Sequence, residues 1–134
     1  MATNMEQAYR HLEQVYEGLI SPLGLSLLEW YALRALYVDD GMSASHLALT
    51  VCRHPSSMTA LLDRMEQKSL LCRQMDADDR RSVRVFLTDE GRALQPQVQA
   101  VADRLNCLLE THVTPDQMDA FHHVLSILQN VQVP

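Results

Sequence analysis

The sequence predicts a mainly α fold with a small β-hairpin, and three observations predict it. Apolar residues recur at alternating four- and three-residue steps in the first helix and in the helices after the hairpin, which is the helical period. Ser/Thr-x-x-Glu/Gln capping boxes stand ahead of two of the helices. Between them, residues 70–87 lose the helical period and end in the two-residue alternation of Val83, Val85 and Leu87, after an acidic loop that carries Arg80 and Arg81.

Each element has its own reason. Met5, Tyr9, Leu12, Tyr16, Leu19 and Leu23 form a narrow helical seam, ended at Ser21-Pro22-Leu23-Gly24. Ser26-Leu27-Leu28-Glu29 opens a second helix that runs to about Tyr37, and Asp39-Asp40-Gly41 is a turn. Ser43 caps a short third helix, broken at Arg53-His54-Pro55. Pro55 suits the first position of a fourth helix reaching about Lys68. Residues 70–75 are the first hairpin strand and 82–87 the second, with Thr88 as the next N-cap. One long helix then follows from Asp89, with Leu94, Val98, Val101, Leu105 and Leu108 as its seam and a kink at Pro96. Thr114-Pro115-Asp116-Gln117 opens the last helix, which carries Met118, Phe121, Leu125 and Leu128.

The 134 residues fit a single domain, 1–134. No apolar run is long enough to span a bilayer, the first residues lack a signal-peptide pattern, and three scattered cysteines suit a reducing cytoplasm. The net charge of −6 is unevenly spread. Residues 43–92 hold eight basic against seven acidic residues, +1; the rest holds three against ten, −7. A basic middle on an acidic scaffold suits a surface that meets a polyanion.

Two helices joined by a tight turn and followed by a hairpin make a winged helix-turn-helix, with residues 43–88 as its lobe. In that arrangement the second helix enters the major groove and the wing lies over backbone or minor groove. The outer helices, 1–37 and 89–134, carry seams that a single copy has little else to cover, so a homodimer is expected. Two-fold protein symmetry suits a pseudo-palindromic operator in double-stranded DNA.

The chain resembles the MarR (multiple antibiotic resistance regulator) family of bacterial transcription factors. The resemblance rests on Asp79-Arg80-Arg81-Ser82 with Val83, Val85, Leu87-Thr88 and Gly91, on Leu61-Leu62-Asp63-Arg64-Met65, and on Leu25 to Trp30 and Ser45 to Ala48. It implies that Pro55, Ser56, Ser57, Thr59 and Ala60 lie on the exposed first turns of the recognition helix. With Ser45, Arg64, Arg73, Arg80 and Arg81 they make the expected DNA-binding set. It also implies an ion pair, Asp63 with Arg81, that ties wing to recognition helix. Ala60 stands where many members have Arg. Ser69 stands where Gly is usual, so a strained or shifted turn is expected there.

The family's habit of sensing small aromatic acids in a cleft implies an effector pocket, for which His11, Tyr16, Trp30 and Arg34 are the candidates. Cys52, beside the recognition helix, reads as a small buried hydrophobe rather than a redox centre. Adjacent histidines on a helix diverge by about 100°, so His122 and His123 do not share a metal, and no metal or cofactor is expected. No phosphate loop, His-Glu-x-x-His or nucleophile elbow occurs, so no catalytic residue is expected and the chain is read as no enzyme. The expectation is a cytoplasmic, dimeric regulator, a repressor released by a small effector. The alternative is a winged-helix dimer that serves as a protein-interaction adaptor with weak or no DNA binding.

Overall fold

A computed structural model describes residues 2–51 and 54–131, with the side chains of Ala2, Pro55 and Ser56 outside the described set. In chain order the elements are α1 (Ala2–Ile20), a 3-10 turn (Ser21–Leu23), α2 (Leu27–Val38), α3 (Ala44–Thr50), α4 (Pro55–Gln67), β1 (Leu71–Met75), β2 (Val83–Leu87), α5 (Asp89–Ala93), α6 (Gln95–Glu110) and α7 (Pro115–Gln129). The mainly α fold with one small hairpin is the expected one. The chain divides into two compact units, one ending at Val101 and the other starting at Ala102.

The helix starts obey local chemistry. Ser26 Oγ accepts from Glu29 N at 3.3 Å and Glu29 Oε2 accepts from Ser26 N at 2.8 Å, a reciprocal box at the head of α2. Ser43 caps α3 and Thr88 caps α5, by accepting from His46 N at 3.1 Å and Gly91 N at 3.0 Å. Thr114 and Gln117 repeat the box at α7.

Pro96 behaves differently from expectation. It does not kink one long helix; α5 stops at Ala93, Leu94 is its C-cap, and α6 begins at Gln95 with Pro96 as its second residue. A proline in the first helical turn removes an N–H that would have had no partner there anyway, so a fresh start is cheaper than a kink.

In the first unit the core is built from Trp30, Leu33 and Leu36 of α2, Leu47 of α3, Leu61 and Met65 of α4, Leu71 of β1, Val85 of β2 and Val98 of α6. Trp30 Nε1 donates to the Val98 carbonyl at 3.1 Å, which satisfies the indole inside the core. This corrects the reading of the α6 seam. Val98 and Val101 are already buried within this unit.

The second unit is different: no described residue of α7 is buried, and Phe121, Val124, Leu125, Ile127 and Leu128 are all exposed.

The hairpin runs from Leu71 opposite Leu87 to Met75 opposite Val83. The segment before α3 adds a short third rung. Gly41 N donates to Val85 O, Val85 N donates to Met42 O, both at 2.9 Å, and Ser43 bridges Arg84. Gly41 sits at φ +91°, and a Cβ there would fall 2.5 Å from the Phe86 ring, so glycine is required twice over.

Ser69 takes the strained option rather than the shifted one. It lies at φ +58°, and Leu70 N reaches back to Met65 O at 2.9 Å in the usual left-handed helix ending. A left-handed residue with a side chain costs about 1–2 kcal/mol.

Candidate nucleic-acid interface

The lobe presents α3, α4 and the hairpin as a helix-turn-helix with its wing. α3 and α4 are short amphipathic helices: Leu47, Ala48, Met58, Leu61, Leu62 and Met65 turn inward. What they leave outside is the candidate interface. Ser45 on α3, and Ser57, Thr59, Ala60 and Arg64 on α4, are exposed. Ser45, Thr59 and Arg73 line one crevice of about 150 Å³, together with Met58, Leu62 and Val83. Pro55 belongs to the first turn of α4 with Ser56; Cys52 and the reading made of it lie outside the described residues.

The wing tip is shaped by its own acids. Asp76 Oδ1 accepts from Asp78 N at 2.9 Å and Asp79 Oδ1 accepts from Arg81 N at 3.0 Å, two side-chain turns in succession. Arg84 Nε donates to Asp76 Oδ2 at 2.5 Å, and Arg84 Nη1 to Gly41 O at 2.9 Å. The Asp78 amide and then the Arg84 guanidinium hold the Asp76 carboxyl below its ordinary range. Arg80 and Arg81 project from this loop, exposed, and among the described residues neither has an acidic partner within ion-pair distance.

The expected tie between Asp63 and Arg81 is therefore corrected. Asp63 pairs with Arg73: Arg73 Nη2 donates to Asp63 Oδ1 at 2.5 Å and to Glu66 Oε2 at 2.6 Å. Arg73 N also donates to Glu66 Oε1 at 2.9 Å. The hydrogen bond from Arg73 is the main cause that lowers the Glu66 carboxyl, and the two carboxylates raise Arg73 in return. Wing and recognition helix are tied through β1 rather than through the wing-tip loop. The reason is register. Leu71 and Arg73 share a face of β1, and Leu71 is buried, so Arg73 points back toward the helices while Arg81 lies beyond the strand at the tip.

Two further anchors were not singled out from sequence. Asp40 Oδ1 accepts from Leu87 N at 2.8 Å and Asp40 Oδ2 from Arg92 Nη2 at 2.6 Å, so the turn before α3 holds the base of the wing. Glu29 is 1 % exposed and takes Lys68 Nζ at 2.7 Å, while Lys68 also donates to Gly24 O at 2.9 Å. That pair ties the end of the recognition helix to the start of α2. A Glu that is both capping residue and buried carboxylate gave no sequence signal beyond its cap.

The effector candidates separate. Arg34 Cζ lies 4.7 Å from the centre of the Trp30 ring, and the Tyr16 ring centroid lies 5.4 Å from that of Trp30. Trp30 itself is fully buried and is core, and His11 is exposed on α1. Of the four, Arg34 alone lines the groove of about 360 Å³ that it shares with Tyr31, Tyr37, Val38, Thr50 and Gln99. Tyr37 Oη donates to Gly91 O at 2.7 Å, and burial pushes its hydroxyl up to about 12.

A recognition helix, a preceding helix and an arginine-tipped wing define a winged-helix protein. The MarR family profile matches residues 25–83. An HTH-type transcriptional repressor of Mycobacterium tuberculosis is 31% identical over 109 residues, which covers 81% of this chain and 78% of that protein. The chain belongs to the MarR family. Among solved structures, the transcriptional repressor CouR bound to a 23-mer DNA duplex superposes with a TM-score of 0.84 at 24% identity, over 97% of this chain and 92% of that one. Bordetella bronchiseptica BpsR, described with regulation of its DNA binding by 6-hydroxynicotinic acid, superposes at 0.89 with 20% identity, over 98% and 94%. These two likenesses establish the shared fold. No described helix is long and apolar enough to cross a membrane.

Proposed function

We propose that this chain is a homodimeric, sequence-specific DNA-binding regulator that represses transcription in the cytoplasm until a small effector releases it. The observation that carries the reading is the lobe itself: an exposed hydroxyl-bearing face on α3 and α4 beside a wing tip whose two arginines have no acidic partner among the described residues. Hydroxyls and guanidinium groups are the groups that meet phosphates and base edges. The unburied apolar face of α7 supports the dimer, because Phe121, Leu125 and Leu128 at four- and three-residue steps suit a partner helix. A two-fold dimer would read a pseudo-palindromic operator, with half-sites about 34 Å or a multiple apart.

The test is a titration against genomic flanking duplexes at two salt concentrations, with sedimentation alongside. A dimer is expected, with affinity that falls steeply as salt rises. Arg80→Ala should weaken specific and unrelated duplexes by similar factors and flatten the salt slope by about 0.9 per protomer. Binding that is insensitive to Arg80→Ala would remove the wing from the interface. Absence of any duplex binding would favour the protein-adaptor alternative.

For the effector, the groove at Arg34 supplies a cation beside tyrosine rings, which suits a small aromatic acid. The regulation of BpsR by 6-hydroxynicotinic acid lends support to that class. Salicylate-like acids should raise the melting temperature of the wild type and release DNA, and Arg34→Ala should respond to neither. Equal responses in both proteins would take Arg34 out of the site.

A further inference from the structure

We propose that Arg73 is a positioning and charge-masking residue of the recognition helix rather than a phosphate ligand, and that by occupying Asp63 it leaves Arg81 free at the wing tip as a second DNA contact beside Arg80. The inference deepens the DNA-binding reading and rests on it.

Asp63 and Glu66 stand three residues apart on α4 and so share one face of the helix. Two carboxylates there repel each other, and they repel any phosphate that approaches the adjoining face. One nitrogen of the Arg73 guanidinium bonds both of them, at 2.5 and 2.6 Å. The Glu66 carboxylate also takes the Arg73 main-chain amide, so strand and side chain are held together. Charge-assisted bonds of this kind are about twice as strong as neutral ones, and Arg73 could leave for a phosphate only by releasing them. Its side chain is 28% exposed, against 48% for Asp63 and 33% for Glu66, so the cation is the least exposed of the three groups.

The consequence for the wing follows from counting partners. Asp63 is the acid that the family signature would assign to Arg81. With Arg73 already on Asp63, Arg81 keeps, among the described residues, a main-chain bond to Asp79, and it stands exposed directly after Arg80 in the chain. Of the three arginines at issue, Arg73 is thus internal, and Arg80 and Arg81 stand at the wing tip.

The test compares four proteins on one mixed-sequence duplex of about 30 base pairs, some three helical turns, across a range of salt. They are the wild type, Arg73→Met, Asp63→Asn with Glu66→Gln, and all three changes together. Arg73→Met uncovers two carboxylates and should weaken binding by about tenfold at low salt. The triple variant, with the acids removed as well, should bind as tightly as the wild type or more so, and keep the wild-type salt slope. Asp63→Asn with Glu66→Gln uncovers the Arg73 cation; it should bind more tightly and steepen the slope by up to about 0.9 per protomer. That double variant keeps the test decisive even if Arg73→Met fails to fold.

A triple variant as weak as Arg73→Met, with a slope about 0.9 per protomer shallower than wild type, would make Arg73 a phosphate ligand and overturn the proposal. So would a double variant with unchanged affinity and slope. Arg81→Ala should flatten the wild-type slope much as Arg80→Ala does, and an unchanged slope would overturn the freeing of Arg81. A wild type that binds no duplex defeats the DNA-binding reading and the masking with it, whereas failure of the variants alone leaves that reading standing.

Discussion

Gly91→Ala is expected to be the most damaging single methyl in the chain. A Cβ at Gly91 would lie 2.0 Å from the Leu70 carbonyl oxygen and 3.0 Å from its carbon, closer than any van der Waals contact allows. The obstacle is backbone, so no side chain can swing aside. The carbonyl cannot drift freely either, because Thr88 N donates to it at 3.2 Å, and Thr88 Oγ1 donates to the neighbouring Ser69 carbonyl at 2.5 Å. Gly91 is pinned from its own side by Thr88 Oγ1 on its amide and Tyr37 Oη on its carbonyl. Forced overpacking of this kind costs about 3 kcal/mol or more. For a chain of this size that corresponds to a fall in melting temperature of about 10 °C. A thermal melt compared with wild type decides it, and a difference within about 2 °C would show that the α4–β1 turn yields easily.

Lys68→Met should carry the second-largest effect. Surface ion pairs usually contribute about 0–1 kcal/mol, but here one partner is not at the surface. Glu29 is 1% exposed, and without the ammonium its carboxylate keeps, among the described residues, the Ser26 amide. Stranding a buried carboxylate costs about 3–5 kcal/mol when both partners are enclosed; with Lys68 itself 41% exposed, water replaces part of the loss, and about 2 kcal/mol is expected. Glu29→Gln on the same background should recover much of it, since the amide oxygen still serves the capping box without a charge. Urea unfolding of the four proteins of this cycle measures the coupling. A Lys68→Met protein as stable as wild type would mean that the carboxylate finds another donor.

The parts of the fold legible in the sequence are those fixed by neighbours in the chain. Ser26, Ser43, Thr88 and Thr114 cap where they were expected to, because a cap is settled within four residues. The break at Leu94 was also within reach of local rules, had Pro96 been weighed as a helix opener rather than a kink. What was not legible depends on distance. Arg73 and Arg81 lie 10 and 18 residues from Asp63, and composition gives no preference between them. The strand pattern does: Leu71 and Arg73 share a face, so a reading of β1 by alternation would have turned Arg73 toward α4. Trp30 is core for a reason equally remote in the chain. Its ring stacks under Arg34 as a ligand site would require, yet the Val98 carbonyl that closes the core around it lies 68 residues away.

The two side-chain turns at the wing tip bear on the entropy of encounter. Fixing the backbone of one residue costs about 1–2 kcal/mol of conformational freedom, and a floppy loop meets that cost each time it is captured. Asp76 and Asp79 fold the tip on their own amides, and Arg84 fastens it to the Gly41 carbonyl. The ordering is therefore completed when the chain folds, and a partner that takes the tip captures two arginine side chains rather than a whole loop.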